Sequence, residues 1–383
     1  MANYEFIVED LKIRLDKYLA QQLPEISRSQ IQRDIEGGNA EVNGQPILES
    51  KFVVRVGDKV IYKVESGKWK VESLKATNTP LKILYNDHGL LIIDKPAGMV
   101  VHPGAGFKGE TLASALLYMF SAEGGSPPKA DQPSAGTTNL GGKNIHLVGE
   151  EHRPGIVHRL DKDTSGVILV ATTQEMYEHL KNAFAERKIK KEYIALVLGR
   201  VEKSHGFIET SIGKSNTDFR KMAVIKTSPP TFVRLRRTSV GAPTPPHVLG
   251  RGGQRGKEAV TEYKVLEYLT PHPSASGGHL LLQGEKGNKK AGLDGCTLLR
   301  LKLHTGRTHQ IRVHLSSIGH PLIGDELYGG KKVKLENLSR QFLHAKKIEV
   351  RLSDGTWIEA ESELPEDLRE VLVSLNSKVV RSL

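Results

Sequence analysis

Cysteine is almost missing: Cys296 is the only one in 383 residues. No intramolecular disulfide and no cysteine-based zinc site can form, which suits a reducing compartment. Long hydrophobic runs are missing too. LLII, VILVA and IALVL all fall short of the roughly 20 apolar residues that a membrane span needs. MANYEFIVEDLKIRL carries acids early and no extended apolar core, so it does not read as a signal peptide. A soluble, cytoplasmic, monomeric protein is the expectation. There is no GxxxxGK[ST] phosphate loop and no GxSxG nucleophile elbow. PGAGFKGE (103–110) lacks both the GxGxxG spacing and a βαβ setting, so its glycines read as tight turns.

What is present begins with charge. The chain carries a net +11, a balance that favours polyanions such as nucleic acid. Hydrophobic residues make up 38%, enough at this length for a sizeable core and for two or three domains.

The first 65 residues read as a small α+β unit. LKIRLDKYLAQQL places apolar residues at 11, 15, 19 and 23, a helical spacing that Pro24 ends. Ser27 and Gln30 form a capping-box pattern at the start of a second helix, SRSQIQRDIE, which Gly37-Gly38 stops. Asn43-Gly44 marks a hairpin, and FVVRVGDKVIYKV supplies two short strands. Residues 66–80 read as a linker closed by Pro80. The larger domain, 81–383, is strand-rich with a few helices and no βαβ alternation. An α+β fold is therefore expected, with a mixed, largely antiparallel sheet. Three stretches near 121–152, 227–257 and 271–295 are Gly/Pro/Ser/Lys-rich and aperiodic, and read as flexible surface insertions. RLRR (234–237) lies in one of them.

The reactive side chains concentrate in HRLDKDTSG (158–166). His304, His309, His314 and His320 are spaced five and six apart, which does not place ligands on one helical face, so no metal site is expected. His158, Asp161 and Ser165 would make an unusually local triad. Carboxylate chemistry remains. Glycoside hydrolysis needs two carboxyl groups roughly 5–9 Å apart across the scissile bond. A single nucleophilic Asp needs only a cation to orient it and hold it ionised. RTHQIRVHL, read as helix, offers Arg307 and Arg312 for that. The residues alone leave Asp161 and Asp163 both open.

Two resemblances narrow the field. RLDKYLA and SRSQIQRDIEGGNAEVNG resemble the S4 RNA-binding domain, which implies Arg28, Gln30 and Arg33 as phosphate contacts. HRLDKDTSG resembles the HRLDxxTSG signature of the RluA-type pseudouridine synthases. IIDKPAGMVVHPGAG (92–106), KKEYIA (190–195), LHTGRTHQIRVHLSSIGHPLIGDELYG (303–329) and RQFLHA (340–345) look like further motifs of that family. VVHPGAG and the S4-like module point toward its large-subunit rRNA synthase D branch.

The resemblance implies isomerisation of uridine in RNA to pseudouridine, without a cofactor. It implies Asp161 as the essential Asp, Arg312 as its partner and Tyr193 as the aromatic that packs on the target base. Arg159 is implied to help flip the nucleotide, a step expected of enzymes that act on stacked bases. Arg307 and His158 are expected as active-site support, and Asp163 as a turn former. The expected partner is RNA, 23S rRNA above all. Alternatives are the same chemistry on tRNA or another rRNA site, or a non-catalytic RNA-binding factor of ribosome assembly.

Overall fold

A computed structural model describes residues 2–9, 13–23, 26, 28–64, 75–103, 107, 109–120, 148–149, 153–225, 248–249, 255–269, 295–335, 337–380 and 383. Most of the three aperiodic stretches, RLRR included, and residues 65–74 lie outside these, as do Leu11, Pro24 and Ser27. The chain divides into two compact units, Met1–Ser73 and Leu74–Leu383.

The first unit contains β1 (Ala2–Ile7), β2 (Ile13–Arg14), α1 (Leu15–Gln22), α2 (Arg28–Glu36), β3 (Ala40–Val42), β4 (Gln45–Pro46), β5 (Val53–Val54) and β6 (Lys59–Val64). Its sheet runs β1-β6-β3-β4, and β2 pairs with β5. The first helix is shorter than its apolar spacing suggests, because Ile13–Arg14 is drawn into pairing with Val53–Val54. Leu15 and Leu19 on α1 and Ile31 and Ile35 on α2 are each one turn apart and fully buried, so one stripe of each helix makes the core. Asn43 and Gly44 both take positive φ (52° and 80°) between the paired Val42 and Gln45, the two-residue turn that matches strand twist.

The second unit contains β7 (Lys82–Asp87), β8 (Leu90–Lys95), α3 (Leu112–Phe120), β9 (Ser165–Ala171), α4 (Gln174–Ala185), β10 (Lys190–Leu198), β11 (His205–Lys214), β12 (Met222–Val224), β13 (Val248–Leu249), β14 (Arg255–Leu269), β15 (Cys296–Leu303), α5 (Gln310–Ser317), α6 (Glu326–Gly329), β16 (Leu343–Arg351), β17 (Trp357–Glu361) and α7 (Glu366–Ser374). Residues 75–80 belong with it: Thr77 bonds Ser114 and Thr79 bonds Glu110. The sheet order is β12-β11-β14-β15-β10-β16-β9-β8-β7, with β13 added on β14 and β17 on β16. Among the described residues every pairing in it is antiparallel except β16 with β9. The fold is α+β.

Both faces of the sheet's centre are covered, so β8 and β9 are apolar runs rather than alternating ones. β10 shows the two layers by its alternation. Tyr193, Ala195 and Val197 face one core with Leu169, Leu299 and Leu301. Ile194 and Leu196 face a second with Phe342, Leu368 and Leu372, where α7 packs.

Candidate active site

The one parallel pair fixes the site. β9 and β16 start side by side, with Ser165 opposite His344 and Gly166 opposite Ala345. The segments that feed them, HRLDKDT and RQF, are thereby brought together. Gly166 is required there: its φ is +110°, and a Cβ would lie 2.1 Å from the Ala345 carbonyl oxygen. Arg340 Nη1 donates to the Asp163 carbonyl at 3.1 Å, while its Nε and Nη2 grip Asp367 at 2.6 and 2.8 Å. From the other side Lys95, fully buried, donates to the carbonyls of Pro96, Met99 and Lys162 at 2.7, 2.9 and 3.0 Å. Burial brings its pKa down to about 7, against the pull of Asp163 and Asp161. The loop is clamped by its backbone, which leaves the Asp161 side chain to face the cleft.

Asp161 is the carboxylate so presented. Arg312, on α5, reaches it with Nη1 at 3.3 Å from Oδ2. The remaining fork of Arg312 is taken by Asp325, Nε to Oδ2 at 2.7 Å and Nη2 to Oδ1 at 2.8 Å, a bidentate pair. The Asp325 side chain is 1% exposed and that of Asp161 16%. Asp325 therefore locks the guanidinium, and its spare N–H holds Asp161. Gly324 makes room for this: at φ +77° a Cβ would sit 1.9 Å from the Arg340 carbonyl oxygen. The two carboxylates raise the Arg312 pKa still further, so it stays charged.

His309 lies on the other oxygen, Nε2 to Oδ1 at 3.9 Å. It takes a left-handed conformation (φ 53°) as the residue before α5. Tyr328 Oη accepts the Met222 N–H and lies 2.8 Å from His309 Nδ1, which anchors the ring beside Asp161. Burial lowers the His309 pKa while Asp161 opposes the shift.

Asp161 opens on a cleft of about 400 Å³ whose lining includes Leu160, Phe184, Ile189, Lys191, Tyr193, Arg307 and Leu343. Among the described residues it is the only carboxylate in that lining; Asp163 borders instead a second hollow of about 340 Å³, which Asp161 also touches. The larger cleft therefore lacks the pair of carboxylates that glycoside hydrolysis uses. Tyr193 is 6% exposed, and burial together with the charge of Asp161 raises its pKa, so the ring is neutral and apolar toward the cleft. The site offers one carboxylate, held by Arg312, beside a cleft lined by both polar and apolar side chains that could take a planar ring.

Two family models match the chain: RNA pseudouridylate synthase over residues 89–317 and the S4 domain over residues 13–60. The chain belongs to the RNA pseudouridylate synthase family. It is an enzyme that isomerises uridine in RNA, with an S4 domain ahead of its synthase domain. The synthase is 34% identical to an uncharacterized RNA pseudouridine synthase of Aquifex aeolicus, covering 96% of this chain and 95% of that one. It is 34% identical to the ribosomal large subunit pseudouridine synthase D of Pseudomonas aeruginosa (92% and 89% covered). With the protein of the same name from Nitrosomonas europaea it shares 35% (95% and 85% covered).

In the synthase Asp161, Arg312, Tyr193, Arg159, Arg307 and His158 all line the one cleft. Arg159 is exposed and borders both hollows. One expectation is corrected in detail. Arg307 is not on the helix with Arg312, because α5 starts only at Gln310; its Nε donates to the Glu258 carbonyl at 3.0 Å and Arg307 does not orient Asp161. His158 faces inward, where Nε2 accepts the Leu169 N–H at 2.8 Å and burial holds its pKa down to about 3. Ser165 Oγ pairs with His344 Nδ1 at 3.0 Å, so no triad forms with His158 and Asp161.

The four clustered histidines part company. His304 meets Glu262, His314 meets Thr261 and Thr210, and His320 meets the Leu198 carbonyl. Sequence reasoning missed Asp325, Lys95 and His309, although each lies inside a quoted motif. In the first unit Arg28 and Gln30 fall in α2, and Arg33 is exposed on the same helix.

Proposed function

We propose that this synthase modifies uridine in large-subunit ribosomal RNA, acting as a cytoplasmic monomer, with Asp161 as its nucleophile. The observation that carries the chemical part is the placement of the Asp161 carboxylate, held by Arg312 at 3.3 Å, at the mouth of the cleft that Tyr193 lines. In this reading the target nucleotide leaves its stack and Arg159, exposed at the cleft rim, helps take its place. Its base lies on the Tyr193 ring, and C1′ and C6 come within reach of Asp161. Arg307 braces the cleft from the Glu258 carbonyl, and His158 supports the loop from beneath. Arg28, Gln30 and Arg33 contact RNA phosphates from the first unit.

The large-subunit target is supported by the two relatives named for that substrate, each matched over more than nine-tenths of this chain. The cytoplasmic assignment is supported by the described helices, none of which is long and apolar enough to cross a membrane. A monomer is supported by a cleft whose nucleophile, counter-ion and base platform all come from one chain.

The test is to map pseudouridines in ribosomal and transfer RNA from cells that lack the gene, then from the same cells given it back. The expected result is one or more large-subunit positions that disappear and return. Loss confined to transfer RNA would overturn the target.

A further inference from the structure

The cleft has a second charged feature that the reading above leaves unused. Lys191 and Tyr193 are alternate residues of β10 and so point to the same side, about 6.8 Å apart along the strand. The Lys191 ammonium lies 5.5 Å from the centre of the Phe184 ring, with Gly306 passing close by. Among the described residues no carboxylate pairs with Lys191 or with Arg307, although both line the cleft. Tyr193 feels the charge of Asp161, whereas the charge that acts on Lys191 is that of Arg307. Desolvated, unpaired positive charge is costly to a fold, and enzymes place it where negative charge develops.

We propose that Lys191, assisted by Arg307, is a further catalytic group of this synthase: its ammonium donates to a carbonyl oxygen on the far edge of the flipped uracil and stabilises the anion that the ring becomes. The inference rests on the proposed roles of Asp161 and Tyr193. It holds for either course of attack. If Asp161 attacks C1′, an Oδ–C1′ bond forms, the C1′–N1 bond breaks, and its electron pair spreads over N1, O2 and O4. If Asp161 adds to C6, an Oδ–C6 bond forms, the C5–C6 π pair moves onto C5 and O4, and the C1′–N1 bond then breaks with its pair left on N1. In both cases the surplus pair is used when C5 bonds to C1′ and Asp161 is released. The C5 proton leaves, N1 takes one up, and Lys191 ends the cycle as it began.

Lys191 must be protonated for this. Burial and the neighbouring Arg307 bring its pKa down to about 8. Three other charged or titratable groups face it. His158 is buried and uncharged, Arg187 pairs with Glu258 at 3.0 Å, and Arg307 is held on the Glu258 carbonyl. The synthase should therefore slow as pH rises through about 8.

The experiment is single-turnover tritium release from an unmodified large-subunit rRNA transcript carrying 5-tritiated uridine, with the wild type, Lys191→Met and Lys191→Arg. RNA affinity is measured at several salt concentrations, and Tm for each variant. The expected results are a loss of about 100-fold in rate for Lys191→Met with affinity little changed. Lys191→Arg should keep most of the rate at neutral pH and lose the alkaline fall. An unchanged rate in Lys191→Met would overturn the inference. So would weaker binding with a shallower salt slope and a normal rate at saturation, which would make Lys191 a phosphate contact. If Lys191→Met does not fold, the pH profile of Lys191→Arg decides: a fall that persists above pH 8 overturns the inference. Tritium release by Asp161→Asn equal to wild type would sink the underlying reading instead.

Discussion

At one end of the cleft a single guanidinium, Arg312, serves two carboxylates; at the other, Lys191 and Arg307 have none between them among the described residues. The first arrangement is a held charge. Asp325 takes two of the Arg312 donors in a buried bidentate pair, and Asp161 takes one, longer bond beside the open cleft. Geometry is set by the buried acid, and the partly buried one is left facing the cleft. The second arrangement leaves two cations on the cleft with no ion pair among the described residues. The contrast is between a carboxylate held still by an arginine and cations left facing the cleft.

The comparison breaks most completely at Arg312. Arg312→Met should leave Asp325 buried without its cation, costing about 3–5 kcal/mol in stability by urea unfolding. Activity should fall at least about 1,000-fold, because Asp161 loses the arginine that holds it. Asp325→Asn sharpens the same end. Arg312 keeps Asp161 but loses its lock, so activity should drop roughly 100-fold with RNA affinity retained.

Beneath the cleft, three buried histidines are kept neutral. His158 is held to about 3, and His314 and His344 to about 4, in each case chiefly by burial. A histidine with a depressed folded pKa binds its proton first in the unfolded chain. Stability should therefore be full above about pH 6.5 and fall as pH drops toward 4, by up to about 1.4 kcal/mol per pH unit for each ring. Urea midpoints at pH 7 and pH 5 check this. A flat profile would mean that the rings are not held neutral. The smallest effect belongs to the first unit. Arg33→Ala should weaken RNA binding several-fold and flatten the salt dependence by about one unit of slope, with the saturated rate unchanged.

Much of this was legible in the sequence, where a short-range pattern carried the information. LLII and VILVA read as strands because buried strands are continuous apolar runs, and Asn43-Gly44 named its own turn. The crowding of HRLDKDTSG marked the loop. Other features depend on distant partners. Asp325 sits in GDELYG with nothing local to mark it as the lock of a guanidinium 13 residues earlier. Lys95 closes LLIIDK with nothing local to mark it, yet it is fully buried on three carbonyls, one of them 67 residues away. Arg307 read as helical because the apolar spacing runs on from it, but the left-handed His309 delays the helix. HGFIETSIGK went unread as a strand, since its alternation is weak, and it holds its place by pairing with Arg255–Leu269.

The choice between the two acids of the loop is the centre of the account. Asp161 lines the larger cleft against Arg312, whereas Asp163 gives its carbonyl to Arg340 and faces only the smaller hollow. The direct measurement is pseudouridine yield in single turnover with Asp161→Asn and Asp163→Asn, each first shown to fold and bind RNA. The account predicts no pseudouridine from Asp161→Asn and a rate within about tenfold of wild type from Asp163→Asn. Pseudouridine formed by Asp161→Asn, or complete loss in Asp163→Asn alone, would contradict it.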